Sequence, residues 1–186
     1  MAQSARVLHE SRIQPRSLLQ VENLNVHYRT RRGLVRAVRN ATFELRQREN
    51  MAIIGESGSG KSTLGLALVR LLPRSAEFSA QRLEYTGGQR PLNIATCPDE
   101  SIRQWRWKEV AVVLQAALSA FNPVLRISEQ FADTARAHGL SGRAAIHDRA
   151  LGLLELVQLD PKRVLNAYPH ELSGGMRQRV LIALAL

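Results

Sequence analysis

Apolar and polar residues alternate from Leu18 to Tyr28, with Leu24, Val26 and Tyr28 against Asn23, Asn25 and His27. That two-residue period predicts a half-buried strand. A polar turn from Arg29 to Gly33 leads to apolar-rich stretches at Leu34 to Val38 and Ala41 to Leu45, which predict two further strands and an antiparallel meander. Two later runs, Met51-Ala52-Ile53-Ile54 and Val110-Ala111-Val112-Val113-Leu114, are short and unbroken, the pattern of strands buried on both faces of a sheet. Thr63 to Leu72 is rich in leucine and closed by Pro73, which predicts a helix. From Pro73 to about Glu100 the periodicity is weak, with Gly87-Gly88 marking a turn, and Asp99 opens a short helix through Trp107.

From Leu118 to Leu172 the period becomes helical. Ser128 is placed to cap a helix carrying Ile127, Phe131 and Ala135 on one face, stopped by Gly139. Ser141 begins another, with Ile146, Ala150, Leu153, Leu154 and Val157 at helical spacing. Asp160-Pro161 is an N-cap followed by proline in the first turn, and Pro169 ends that helix. A last helix starts at Ser173 and runs toward Leu186.

The chemistry gathers at Gly55-Glu56-Ser57-Gly58-Ser59-Gly60-Lys61-Ser62-Thr63. It fits G-x-x-x-x-G-K-[ST], the phosphate-binding loop of nucleotide triphosphatases. Glycines let the backbone curl, some at positive φ, so that several N–H groups point at one anion. Lys61 reaches the β/γ phosphates as a mobile point charge, and the Ser62 hydroxyl suits Mg²⁺. A buried-type strand before the loop and a helix after it, its positive end toward the phosphates, complete the context. Gln115, ending the second apolar run, lies where open α/β sheets bind ligands; it fits either a contact to Mg²⁺ or the attacking water, or a polar residue that simply ends a strand. Tyr28, at a strand end, fits either stacking on a nucleobase or packing of the sheet edge.

Composition narrows the class. The chain has 186 residues, 45% hydrophobic and 23% charged, as expected of a globular domain with a real core. Its longest apolar run, Val180 to Leu186, is far shorter than the ~18 residues of a membrane span. Residues 1–17 carry Arg6, Arg12 and Arg16 without an apolar stretch, so no secretory signal is expected. The single cysteine, Cys97, excludes an internal disulfide and a cysteine metal cluster and favours the cytosol. It reads as a neutral thiol; Trp105 and Trp107 read as packing residues, and His138 and His147 as surface residues. The net charge of +10 comes from arginines that are scattered apart from Arg29-Thr30-Arg31-Arg32, with only 5% aromatics. That favours a solvated or membrane-facing surface over a nucleic-acid groove.

Leu172-Ser173-Gly174-Gly175-Met176-Arg177-Gln178-Arg179 is the second motif. Ser173 is a good N-cap, and Gly174-Gly175 leave backbone N–H groups open to an anion. Paired with the phosphate loop, this segment resembles the ABC transporter ATP-binding subunit, and most of all its peptide importer branch (dipeptide, oligopeptide and nickel systems). Gly55 to Thr63 matches that family's Walker A loop, Gln115 its Q-loop glutamine, and Leu172 to Arg179 its LSGGxxQR signature. Asn122-Pro123-Val124 and Tyr168-Pro169-His170-Glu171 carry the likeness to the branch.

The resemblance implies an α/β fold: a P-loop NTPase core, an N-terminal antiparallel β subdomain and an α-helical subdomain, with C-terminal core strands missing. The implied division is an extension at 1–17 and an incomplete ATPase domain at 18–186. Within that domain, 18–115 holds the β subdomain and P-loop core, 116–172 the helical subdomain and 173–186 the signature helix. It implies ATP and Mg²⁺ as cofactors. Lys61 and Gln115 take catalytic roles, and Ser62 and Gln115 hold the metal. Tyr28, Gly55, Ser57, Gly58, Ser59, Gly60, Lys61, Ser62 and Thr63 bind the nucleotide, with Tyr28 stacking on adenine. Two copies or related subunits pair head to tail, so that Ser173, Gly174, Gly175 and Gln178 of one cover the ATP of the other. Residues after Gln115, including Phe121 and Asn122, face a membrane permease, with a solute-binding protein as an indirect partner and no nucleic acid. The implied place is the cytoplasmic face of the inner membrane, held peripherally, and the implied task is import of a peptide-like solute.

The sequence also departs from the family pattern. An Asp-Glu pair is expected on a strand after the signature helix, yet no acidic residue follows Glu171. Asp160 precedes the signature and cannot stand in. Arg48 replaces the usual glycine before Glu49, and Ala116-Ala117 replace polar residues after Gln115. The 186 residues alone are therefore expected to be poorly soluble or partly folded, to bind ATP weakly and to hydrolyse it negligibly. Two other classes stay open: a nucleotide-binding module without turnover, and a soluble ABC ATPase acting on nucleic acid.

Overall fold

In the computed structural model, which describes residues 16–106, 108–114 and 120–186, β1 (Ser17–Thr30) is the strand from which the first compact unit is built. It pairs antiparallel with β2 (Gly33–Arg46), β3 (Ala76–Ser79) and β4 (Arg82–Tyr85), and β4 carries β5 (Leu92–Asn93) beyond it. The alternation places Leu24 and Val26 in the core; Val21, beyond a register shift between Val21 and Leu24, is buried as well, as are Leu83 and Ile94. The two strands expected at 34–38 and 41–45 are one. Asn40 takes a left-handed φ of 49° inside it, and the β1–β2 register slips between Leu24 and Val26. An extra residue of this kind is absorbed as a bulge, and asparagine tolerates the left-handed region. Side chains replace the lost ladder bonds: Asn40 N–H donates to Asn25 Oδ1, and Asn23 N–H to Thr42 Oγ1.

Neither unbroken apolar run forms a strand. Met51 to Ile54 is irregular, with Ile54 92% exposed, and of the second run only Val110 makes a bridge, to Arg106. A strand buried on both faces takes its hydrogen bonds from flanking strands. Among the described residues no strand pairs with either run.

The expected helix at Thr63 to Leu72 is α1 (Lys61–Leu68), shorter at its end. Arg70 enters the left-handed region at φ 52°, Leu71 N–H reaches Leu66 O and Arg70 N–H reaches Ala67 O. This pair of bonds closes a helix, so the chain turns before Pro73. The Arg70 side chain then donates to Cys97 O at 2.6 Å and pairs with Asp99 at 2.5 Å. That anchors α2 (Asp99–Trp105), whose Trp105 is buried as expected; Trp107 lies outside the described residues.

The second unit, Gln104 to Leu186, is helical: α3 (Ile127–Ala137), α4 (Arg143–Leu156), α5 (Pro161–Asn166) and α6 (Gly174–Ala185). Ile127, Leu154, Val164, Val180 and Ala183 pack its core. Gly139, at φ 83°, stops α3 as expected. Asp160 caps α5 by accepting from Arg163 N–H at 3.2 Å. Ser128 does not cap α3. The cap is Arg126, two residues earlier, and Arg126 N–H donates to Glu129 Oε2 at 2.8 Å, so the first turn is closed from its third residue. Arg179 donates to Gln158 O and Val157 O at the end of α4, a cation on the negative helix terminus.

Arg48 sits at φ 63° in the turn after β2. A side chain in this region costs about 1–2 kcal/mol, and glycine gives some of that back through greater unfolded-state freedom. Arg48→Gly is therefore expected to stabilise the protein by about 0.5–1 kcal/mol, read as a raised denaturant midpoint. An unchanged or lower midpoint would contradict the strain at this turn.

Candidate functional site

The loop from Gly55 to Thr63 is built by its glycines and held by its lysine. Gly58 and Gly60 lie at φ 80° and 92°, conformations that side chains rarely adopt. Gly60 is also pressed against β2, where an added Cβ would come within 2.3 Å of the Ala37 carbonyl oxygen. At Gly55 a Cβ would meet Ser59 Oγ at 2.8 Å. The Lys61 ammonium folds over this arc, donating to Gly55 O at 2.8 Å, Glu56 O at 2.6 Å and Ser59 Oγ at 3.3 Å. Helix α1 begins there on Gly60, which offers no side-chain acceptor. The N–H groups of its first turn are thereby left to an external acceptor.

Tyr28, at the end of β1, reaches the same helix: its hydroxyl lies 3.3 Å from Thr63 Oγ1. Its ring is half-buried, so the structure ties this aromatic to the lysine-bearing turn. Ser57, Ser59 and Ser62 are exposed along the loop. The contact with Ala37 had no signal in the sequence, because it is made by a backbone carbonyl and depends on the register of β2.

In the second unit, Ser173 caps α6 by accepting from Met176 N–H at 3.3 Å. Gly174 and Gly175 are exposed with open space where a Cβ would point, and Gln178 is exposed one turn on. Gln115, Ala116 and Ala117 lie outside the described residues. Phe121 differs from expectation: it is buried in the core of this unit, 6% exposed. Asn122, Pro123 and Val124 of that loop are exposed, Val124 at 75%. Gln130 holds the loop from below, accepting from Asn122 N–H and donating to Asn122 O and Leu125 O.

A family model described as ABC transporter matches residues 38–186, which takes in both the lysine-bearing loop and the Ser173 corner. The chain belongs to the ABC transporter family. Among its relatives, the dipeptide transport ATP-binding protein DppD of Caldanaerobacter subterraneus is 40% identical over 170 residues, covering 91% of this chain and 51% of that protein. The glutathione import ATP-binding protein GsiA of Salmonella typhimurium is 36% identical over 185 residues, covering 96% of this chain and 29% of that protein. The chain thus spans about half the length, or less, of the curated relatives it matches. The solved dimer of the ATP-binding cassette MJ0796 bound to ADP and Pi superposes with a TM-score of 0.74 at 26% identity, over 91% of this chain and 69% of that one. An ABC ATPase fold of the α/β P-loop type, expected from the motifs, is therefore established for this chain.

Proposed function

We propose that the chain is the nucleotide-binding part of an ABC transporter ATP-binding subunit, coupling ATP binding and hydrolysis to import of a peptide-like solute. The observation that carries this reading is the loop itself: two glycines at positive φ, a lysine folded over the arc, and a helix start without a side-chain cap. A triphosphate fits that donor set. Lys61 draws the β/γ phosphates, while backbone N–H groups from Gly58 to Thr63 take their oxygens, with Gly55, Ser57 and Ser59 shaping the turn. Tyr28 stacks on the adenine. Ser62 and Gln115, both hard oxygen ligands, hold Mg²⁺, which when bound neutralises charge building between the phosphates. Ser173, Gly174, Gly175 and Gln178 of a second copy or related subunit cover the nucleotide. The division into 18–115, 116–172 and 173–186 follows from these roles.

No helix among the described residues is long and apolar enough to cross a membrane. This suits peripheral attachment at the cytoplasmic face of the inner membrane through a permease. Turnover also needs a carboxylate at the attacking water. A pull-down from detergent-solubilised membranes tests the transport reading. It is expected to bring down a multi-span membrane protein; nucleic acid in its place would overturn the reading and favour a soluble ABC ATPase.

A further inference from the structure

We propose that Arg126 is a positioning residue for the Ser173 corner and acts on it through Tyr168. The proposal rests on the reading of that corner as the cover over a partner copy's nucleotide. Arg126 and Ile127, which open α3, hold three successive residues of the segment leading to the corner. The Arg126 guanidinium donates to the Asn166 carbonyl at the end of α5. Ile127 N–H donates to Ala167 O at 3.0 Å. The same guanidinium lies 4.8 Å from the centroid of the Tyr168 ring, within cation–π range.

From Tyr168 onward the chain has little freedom. Tyr168 N–H donates to Glu171 Oε2 at 2.7 Å, and Glu171 N–H returns to Tyr168 O at 3.0 Å. The Tyr168 ring stacks on His170, with centroids 5.5 Å apart. Leu172 N–H reaches Pro169 O and its side chain is buried, 4% exposed. Ser173 follows directly and caps α6. A shift of Tyr168 is therefore passed to the corner rather than absorbed before it.

On its other side Arg126 belongs to the exposed loop. Its N–H is held by Glu129, and Gln130 fastens Asn122 and Leu125 to the same helix. The Val124 loop and the Ser173 corner are thus joined through the Arg126 side chain and the neighbouring Ile127 N–H. Arginine suits this task because its planar group donates a hydrogen bond and stacks on a ring at the same time, which an ammonium does not.

The test uses the full chain as wild type and as Arg126→Ala, Arg126→Lys, Tyr168→Ala and Tyr168→Phe. Two quantities are measured: affinity for a fluorescent ATP analogue with Mg²⁺, and ATP-driven self-association by analytical ultracentrifugation. In Arg126→Ala and Tyr168→Ala, nucleotide affinity is expected to stay within about twofold of wild type, while ATP-driven association weakens about tenfold. Tyr168→Phe keeps the ring and should match wild type, and Arg126→Lys should fall between. A merely structural role for Arg126 would lower both quantities together with the melting temperature, and that result overturns the proposal. So does association of Arg126→Ala at wild-type strength. If Arg126→Ala does not fold, Arg126→Lys and Tyr168→Ala decide by the same criteria. Wild type that binds ATP but associates neither with itself nor with a related ATP-binding subunit mixed in would instead sink the reading of the corner, and the proposal with it.

Discussion

Replacing Lys61 by alanine is expected to weaken ATP binding by about a hundredfold while leaving the denaturation midpoint almost unchanged. Two effects compete. The ammonium makes three hydrogen bonds within the loop, to Gly55 O, Glu56 O and Ser59 Oγ, and their loss loosens the arc. These acceptors are exposed to solvent, however, so water replaces the lysine and the net penalty per bond is small. Against a triphosphate the same charge meets a concentrated anion at close range, where charge-assisted hydrogen bonds are about twice as strong as neutral ones. The phosphate term wins, and the variant separates binding from folding. Titration with a fluorescent ATP analogue, with denaturation run in parallel, checks both halves. Equal affinity in Lys61→Ala and wild type would remove the loop from the site.

Much of the framework was legible in the sequence because its signals are local. Capping by Asp160 and Ser173 needs only a side chain three residues from an open N–H. The alternation along β1 reports one wet and one dry face, and Leu24 and Val26 are fully buried as it requires. What could not be read depends on partners distant in the chain. Met51 to Ile54 has the composition of a buried strand, but composition says nothing about whether a neighbour lies alongside. The strands β3, β4 and β5 are four, four and two residues long, too short for any period to show, although Leu83 and Ile94 on or beside them are fully buried. At the site, positive φ at Gly58 and Gly60 followed from the motif. The seat of Gly60 on the Ala37 carbonyl did not, nor did the grip of Arg126 on Tyr168, since each joins residues that are far apart in sequence.

That seat makes Gly60→Ala a strongly damaging substitution. The backbone at φ 92° charges an alanine about 1–2 kcal/mol by itself. The new Cβ would also lie 2.3 Å from the Ala37 oxygen, and this neighbour is backbone with little room to retreat. Ala37 is the extra residue between Arg36 and Val38, which pair with His27 and Val26 of β1 across a register shift, so moving it would pull on the pairs at both sides. The start of α1 has to withdraw instead, turning the first N–H groups away from the arc. The expected result is a loss of more than about 3 kcal/mol of stability, together with nucleotide affinity below that of Lys61→Ala. Gly58→Ala isolates the backbone contribution: φ is 80°, but the space where its Cβ would sit is open. It should cost only about 1–2 kcal/mol. Chemical denaturation and ATP titration of the two variants side by side separate strain from collision. Equal losses in both would show that the contact with Ala37 carries no weight in shaping the loop.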